Sequence, residues 1–428
     1  MIRNPIKSLP FSKPNLPCCA LVLFSFALPA CTSEDISKED ESVITIGMTV
    51  GNPLDFSRKN SLVHIDKEIL KPDAASDHGS WKVLINETEI PSQWNAKGPE
   101  MGLVFVLPEI QAHQKLDIEI RNVPDSSAST YPKLTQAELS HKFGGEFKDR
   151  EYLGGHFENV DSLHVPAEHT DHSWFIRYEG PGWESDLVGY RFYLDWRNGI
   201  DVFGKKVHTP VLQDVGQDDF DSYHESADWG MDVLKVGKTL GLGSIATLEN
   251  EKARRVDVTD SLYAEIISNG PVYSAVFTEY SGWDLPGGKT DILATISIHS
   301  GTRLSRMDLE STHAIANFAT GLIKDNKAAV LKSEGNLAYS YLATYGSQSL
   351  ADDKLGIGVI YPTNQLTQLT EDELSHILVF DGSSKALSYY FLAAWEQEPE
   401  GITSREEFKK YLDQEILKLS NPLKIAVK

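Results

Sequence analysis

From Ile44 onward the chain keeps returning to one pattern: a short run in which apolar and polar residues alternate, closed by Pro, Gly, Asn or Asp. ITIGMTV, WKVLINETEI, GLVFVLP and KLDIEIRNV are the first four such runs. SWFIRYEG, VGYRFYLDW, SLYAEIISNG, VYSAVFTEYSGW, TDILATISIHSG and RLSRMDLEST follow. A period of two places alternate side chains on opposite faces, which is the signature of half-buried antiparallel strands. Paired runs of this kind around glycine turns, as at 266–278 and 291–300, point to a mostly β protein built on a large antiparallel sandwich with few helices.

Only two segments read as helical, Asp228–Leu240 and Ser404–Leu419. In the second, Ser404 is placed to cap and Glu407 completes a capping box, with Phe408, Leu412 and Ile416 at i, i+4 and i+8. The composition break at Pro124–Ser129 (PDSSAS) suggests a linker, dividing an N-terminal β region (44–125) from a larger β region (130–428). No internal repeat is visible.

The N-terminus has a different character. Arg3, Lys7 and Lys13 precede a short apolar stretch, Cys18–Ala30, too short to cross a bilayer, which takes roughly 20 residues. Leu28-Pro29-Ala30-Cys31 resembles a bacterial lipobox. Residues 1–30 therefore read as a lipoprotein signal peptide and Cys31 as the lipidated residue. A plain signal peptide cut elsewhere is the alternative. Residues 31–43, with the acidic TSEDISKEDES, read as a tether, giving an expected outer-membrane lipid anchor facing the cell surface or the periplasm. Cys18, Cys19 and Cys31 are the only cysteines, so the region beyond the tether can form no disulfide and no thiolate metal site. The formal charge is −22. A surface this acidic repels nucleic acid, and admits an anionic ligand only where a local group of cations reverses the field.

Chemistry-bearing side chains are densest between His169 and Lys238. Alternation in VGYRFYLDW puts Arg191, Tyr193, Asp195 and Arg197 on one face, opposite Tyr190, Phe192, Leu194 and Trp196. In SWFIRYEG, Arg177 falls opposite Trp174, Ile176 and Tyr178. Arginines bind carboxylates in bidentate fashion and tryptophans stack on sugar rings, so an acidic-sugar cleft is one reading. Mutual pairing of arginines with acids on a solvated face is the other. Tyr223-His224 adds groups able to move protons near neutral pH, although a histidine beside an aromatic ring is more often a packed core residue. His169 and His172 resemble half of a metal site whose third ligand spacing does not reveal, so a divalent metal stays open. The acid-rich 214–228 segment lacks the glycine and closing glutamate of a calcium loop. Phosphate-loop, dinucleotide, GxSxG and HExxH motifs are missing from the sequence.

Two blocks, GPGWESDLVGYRFYLDWRNGIDVFGKK and DSYHESADWGMDVLKVGKTLGLGS, resemble a family of secreted proteins from polysaccharide-utilisation loci of the Bacteroidetes. That family is catalogued as a domain of unknown function and includes ulvan oligosaccharide dehydratases. The run IISNGPVYSAVFTE is similar to strands of galactose-mutarotase-type β-supersandwiches. The resemblance implies removal of water from a terminal glucuronic or iduronic acid of an acidic oligosaccharide, giving a 4,5-unsaturated uronate. Such a reaction needs a cation or hydrogen-bond donors on the carboxylate, a base for the C5 proton and an acid for the C4 hydroxyl. On that expectation Arg191 or Arg197 holds the charge and His224 and Tyr223 move the protons, with His172 and Tyr193 in reserve. Trp183, Arg177, Trp229 and Lys235 are the expected substrate contacts. Two alternatives remain: a polysaccharide lyase using the same C5 abstraction, and a non-catalytic surface glycan-binding lipoprotein.

Overall fold

The computed structural model describes residues 44–70, 80–218 and 222–428. The leader, the tether and Cys31 lie outside the described residues.

The alternating runs become strands, and all the paired strands described are antiparallel. Nine of them form one sheet, in the order Ser162–His164, Ser261–Asn269, Tyr273–Leu285, Gly288–His299, Leu304–Ser311, Ala386–Trp395, Leu355–Pro362, Tyr339–Gly346 and Ala328–Lys332. Two five-stranded sheets share a core with it. One runs Gly230–Asp232, Ile200–Lys205, Val188–Phe192, Gly182–Ser185 and Thr135–Glu138. The other runs Lys252–Arg255, Ala246–Glu249, Asn317–Ile323, Ser375–Asp381 and Leu366–Glu371. Inward side chains of all three interlock in one cluster that includes Trp183, Tyr190, Phe192, Trp283, Met307, Phe380, Phe391 and Trp395. The chain is thus mostly β, a large antiparallel sandwich. Between Tyr280 and Trp283 the long hairpin shifts register. Gly282 sits there at φ +65°, where an added Cβ would strike the Asp260 carboxylate at 2.2 Å, so the bulge requires glycine.

The N-terminal strands enclose a second core of Met48, Val50, Val83, Phe105, Ile118 and their neighbours. The last strand, Lys424–Val427, returns to pair with Thr45–Gly51, so this region is completed by the far end of the chain. At Pro124–Ser129 the chain makes a short 3-10 turn, held by Ser80 Oγ donating to Asp125 at 2.9 Å.

The helix Arg405–Ser420 carries the expected capping box between Ser404 and Glu407. Its Phe408, Leu412 and Ile416 are buried against Tyr341, Ala343 and Leu392. The other expected helix, Asp228–Leu240, is absent. Gly230–Asp232 is an edge strand on Ile200–Lys205, and the chain beyond it is irregular. Met231, Val233, Leu234 and Val236 all enter the core. Near-continuous burial of this kind suits a segment enclosed by sheets and not a one-faced helix. SWFIRYEG is likewise not a strand. Trp174 and Tyr178 adopt positive φ (58° and 36°), and only Ile176 forms a bridge, to His141.

Candidate active site

Alternation in the strand Val188–Phe192 sends Tyr190 and Phe192 into the sandwich core and Arg191 out through the opposite face of its sheet. The neighbouring strand does the same, burying Ile200 and Val202 and aiming Asp201 at Arg191, its registered partner. Asp232, on the edge strand, joins them. This outer face is covered by irregular chain, so its charges are buried: Arg191, Asp201 and Asp232 are each 2% exposed or less.

Arg191 donates to Asp201 Oδ2 through Nε (3.1 Å) and Nη2 (2.8 Å), to Asp232 Oδ2 (2.5 Å) and to the Tyr223 hydroxyl (2.9 Å). Burial opposes its charge, but Tyr193, Tyr223, Asp232 and Asp201 outweigh that and hold its pKa well above the ordinary value. Two carboxylates thus share one guanidinium. Asp201 is pushed up to about 7, by burial first and by Asp232 next, with Arg191 pulling the other way. Asp232 also takes a hydrogen bond from His224, whose Nε2 lies 3.4 Å from Asp232 Oδ2. That hydrogen bond raises the His224 pKa against the opposing effect of burial.

Tyr223 is 2% exposed and packs tilted against the His224 ring, with centroids 4.6 Å apart. Burial pushes its pKa up to about 12, with Arg191 moderating the rise. The phenol therefore holds its proton at neutral pH, and Arg191 stands ready to stabilise the phenolate left after donation. His224 keeps its ring half-exposed. With Nε2 turned to Asp232, its Nδ1 is the nitrogen left to accept a proton, the arrangement in which a carboxylate orients a histidine base.

A second charged group flanks the first. Arg197 pairs with Asp171 (2.9 Å), Glu179 (2.8 Å) and Asp195 (2.5 Å), and lies 4.0 Å from the centre of the Tyr193 ring. Tyr193 in turn donates to Asp201 at 2.5 Å. Between the two groups opens a small cleft whose lining includes Phe157, His172, Trp174, Glu179, Gly216 and Tyr223. A larger cavity of about 340 Å³, lined by Arg58, Arg303 and Arg306 among others, lies elsewhere and takes in none of the residues nominated from the sequence.

Asp171, His172 and Glu179 bring their ligating atoms within 4.8 Å of one another. They are a poor fit for a divalent metal, because Arg197 already supplies the cation to both carboxylates and Glu179 accepts the His172 backbone N–H at 2.9 Å. His169 does not join them: it is buried, with Nδ1 against Ser173 Oγ at 2.8 Å.

The structure thus gathers Arg191, Tyr193, Arg197, Tyr223, His224 and His172 into one region. Other expected roles are corrected. Arg191 and Arg197 are engaged by the protein's own carboxylates, so neither guanidinium is open to clamp a substrate acid. Trp183 is not a sugar platform. It is fully buried, stacks on Tyr190 and donates Nε1–H to Ser305 at 2.8 Å. Arg177 is 1% exposed, pairs with Glu138 and donates to the carbonyls of Leu212, Gln213 and Val215, which makes it a brace for the covering loop. Trp229 packs edge-on to Phe203 with centroids 6.0 Å apart. Lys235 is exposed on irregular chain and not on a helix.

Asp201, Asp232, Glu179 and Phe157 were not singled out from the sequence. An acid in the middle of the buried run GIDVFGK was the available signal for Asp201, since a lone carboxylate there requires a buried partner.

No curated protein matches the chain. Two solved structures from Enterococcus faecalis, a protein in the Glycosyl Hydrolase Family 38 and an alpha-mannosidase, each align over 90% of this chain with a TM-score of 0.45 and 8% identity. The aligned part is 47% and 46% of those chains, so this chain spans just under half their length. A family match does extend over residues 50–425, and the chain belongs to the family described as Domain of unknown function (DUF4861).

Proposed function

We propose that the protein is an oligosaccharide dehydratase that removes water from a terminal uronic acid, of the kind found in ulvan, to leave a 4,5-unsaturated sugar. The observation that carries this reading is the contact between a protonated, Arg191-bound Tyr223, which lines the cleft, and an Asp232-oriented, half-exposed His224 beside it. β-Elimination requires those two roles. His224 Nδ1 takes the C5 proton, acidified by the neighbouring carboxylate. Tyr223 gives its proton to the C4 oxygen as the C4–O bond breaks, and the electron pair of the C5–H bond becomes the C4–C5 double bond. Water leaves, and the proton on His224 returns through solvent to Tyr223.

The two rings lie next to each other, with centroids 4.6 Å apart, so on this reading they meet the sugar from one face. A one-sided acid and base favour syn elimination. In glucuronic acid H5 and O4 lie on the same ring face, whereas in iduronic acid they lie on opposite faces. Glucuronic acid is therefore the better substrate on this reading.

We also propose that the chain is exported and lipid-anchored through Cys31, which suits an enzyme of oligosaccharide breakdown outside the cytoplasm. The test of function compares intact acidic polysaccharide with short saturated oligosaccharides, following ultraviolet absorbance and chain length together. A dehydratase raises absorbance on oligosaccharides without shortening them. Shortened polymer would make the protein a lyase, and binding with no new absorbance would make it a glycan-binding lipoprotein.

A further inference from the structure

With Arg191, Arg197 and Arg177 committed to internal carboxylates, a substrate carboxylate entering the cleft needs another cation. The two-stranded hairpin Ser140–Lys148 and Glu151–Asn159 brings one. Lys142 is registered opposite Phe157. Its Nζ stands 4.8 Å from the centre of the Trp174 ring and 5.3 Å from that of Phe157, two of the aromatic residues that line the cleft. The backbone is fixed against the same wall: Lys142 N–H donates to the Phe175 carbonyl at 2.9 Å, and Tyr152 N–H to that of Ser173 at 2.7 Å. Among the described residues no carboxylate pairs with the Lys142 ammonium, and burial lowers its pKa without a compensating acid. The half-buried ammonium is held by two ring faces and by no carboxylate, which leaves its charge available to an anion and makes it a local positive point in a protein of formal charge −22.

We propose that Lys142 is the binding residue for the substrate's carboxylate, held over the Phe157–Trp174 wall so that acidic sugars are admitted and neutral ones are not. The inference rests on the dehydratase reading for the identity of the ligand, but its test does not depend on turnover. The probe is an oligosaccharide ending in 4-deoxyglucuronic acid, which lacks the leaving hydroxyl, together with its neutral methyl ester. Binding of both is measured by calorimetry to the full-length protein and to Lys142→Gln and Lys142→Arg.

The expected result is roughly tenfold or greater loss of affinity for the acid in Lys142→Gln, a loss of less than about threefold in Lys142→Arg, and weak, unchanged binding of the ester by all three. On the reactive substrate, KM rises in Lys142→Gln while kcat changes little. Wild-type affinity for the acid retained in Lys142→Gln overturns the inference, as does equal wild-type affinity for acid and ester. If Lys142-dependent binding is found but no water is ever lost, the dehydratase reading fails and the anchor stands. If water is lost with the Lys142→Gln KM unchanged, the reverse holds.

Discussion

Arg191 shows how far a residue's type can mislead about its role. A buried guanidinium engaged by two carboxylates and a phenol is not open to a ligand, yet it bears on the properties of the groups around it. The hydrogen bond to Asp232 raises the pKa of His224, against burial and against the nearby charge of Arg191. With His224 as the proposed base, active in its neutral form, activity is expected to fall as pH drops through a midpoint above the ordinary histidine value of 6.5. Replacing Asp232 by asparagine removes the charge responsible and moves that midpoint downward. A pH profile of kcat/KM for wild type and Asp232→Asn checks this, and an unmoved acidic limb would remove His224 as the base. Tyr223→Phe keeps the ring packing and deletes the proton. A fall in kcat of roughly 10²- to 10⁴-fold is expected, with a modest drop in melting temperature because a buried Arg191 N–H loses its acceptor. The sequence disclosed the adjacency of Tyr223 and His224 and the facing of Arg191. It did not disclose the partners, because Asp201 and Asp232 reach Arg191 only through strand pairing.

Among the elements, the strands were legible and the cover of the site was not. Alternation is a local property, and Val188–Phe192 divides its side chains between core and site as the pattern requires. The segments 173–180 and 228–240 carry the same residue types but are packed between sheets and hairpin, and their conformation follows from those neighbours. Trp183 was misread for this reason: a tryptophan near polar residues in sequence proved to be one on the inward face of Gly182–Ser185. Trp183→Ala should cost about 3–5 kcal/mol of stability by opening a cavity against Tyr190 and Phe391. Denaturant unfolding checks it. A stable variant with only its KM raised would return Trp183 to the binding role. The terminal helix was fully readable, since its cap and its apolar face lie within one short segment. Ser404→Ala should cost about 1 kcal/mol with activity intact.

For the molecule as a whole, fold class followed from the recurrence of alternating runs, but sheet order did not. The closing of the first strand by the last, Thr45–Gly51 with Lys424–Val427, joins residues almost the full chain apart, and no local pattern announces it. The same non-local assembly builds the site, which draws on the hairpin 140–159, the loop around 170–180 and strands from 188 to 232. The acidic exterior makes that local arrangement all the more necessary, because an anionic sugar is repelled everywhere except where cations and proton donors meet. Mass spectrometry of a saturated, glucuronate-ended oligosaccharide exposed to the purified protein addresses this most directly. The expected product is lighter by one water and of unchanged chain length, formed by wild type and not by His224→Ala. Recovery of the starting mass after prolonged incubation with folded wild type, or equal dehydration by His224→Ala, would contradict it.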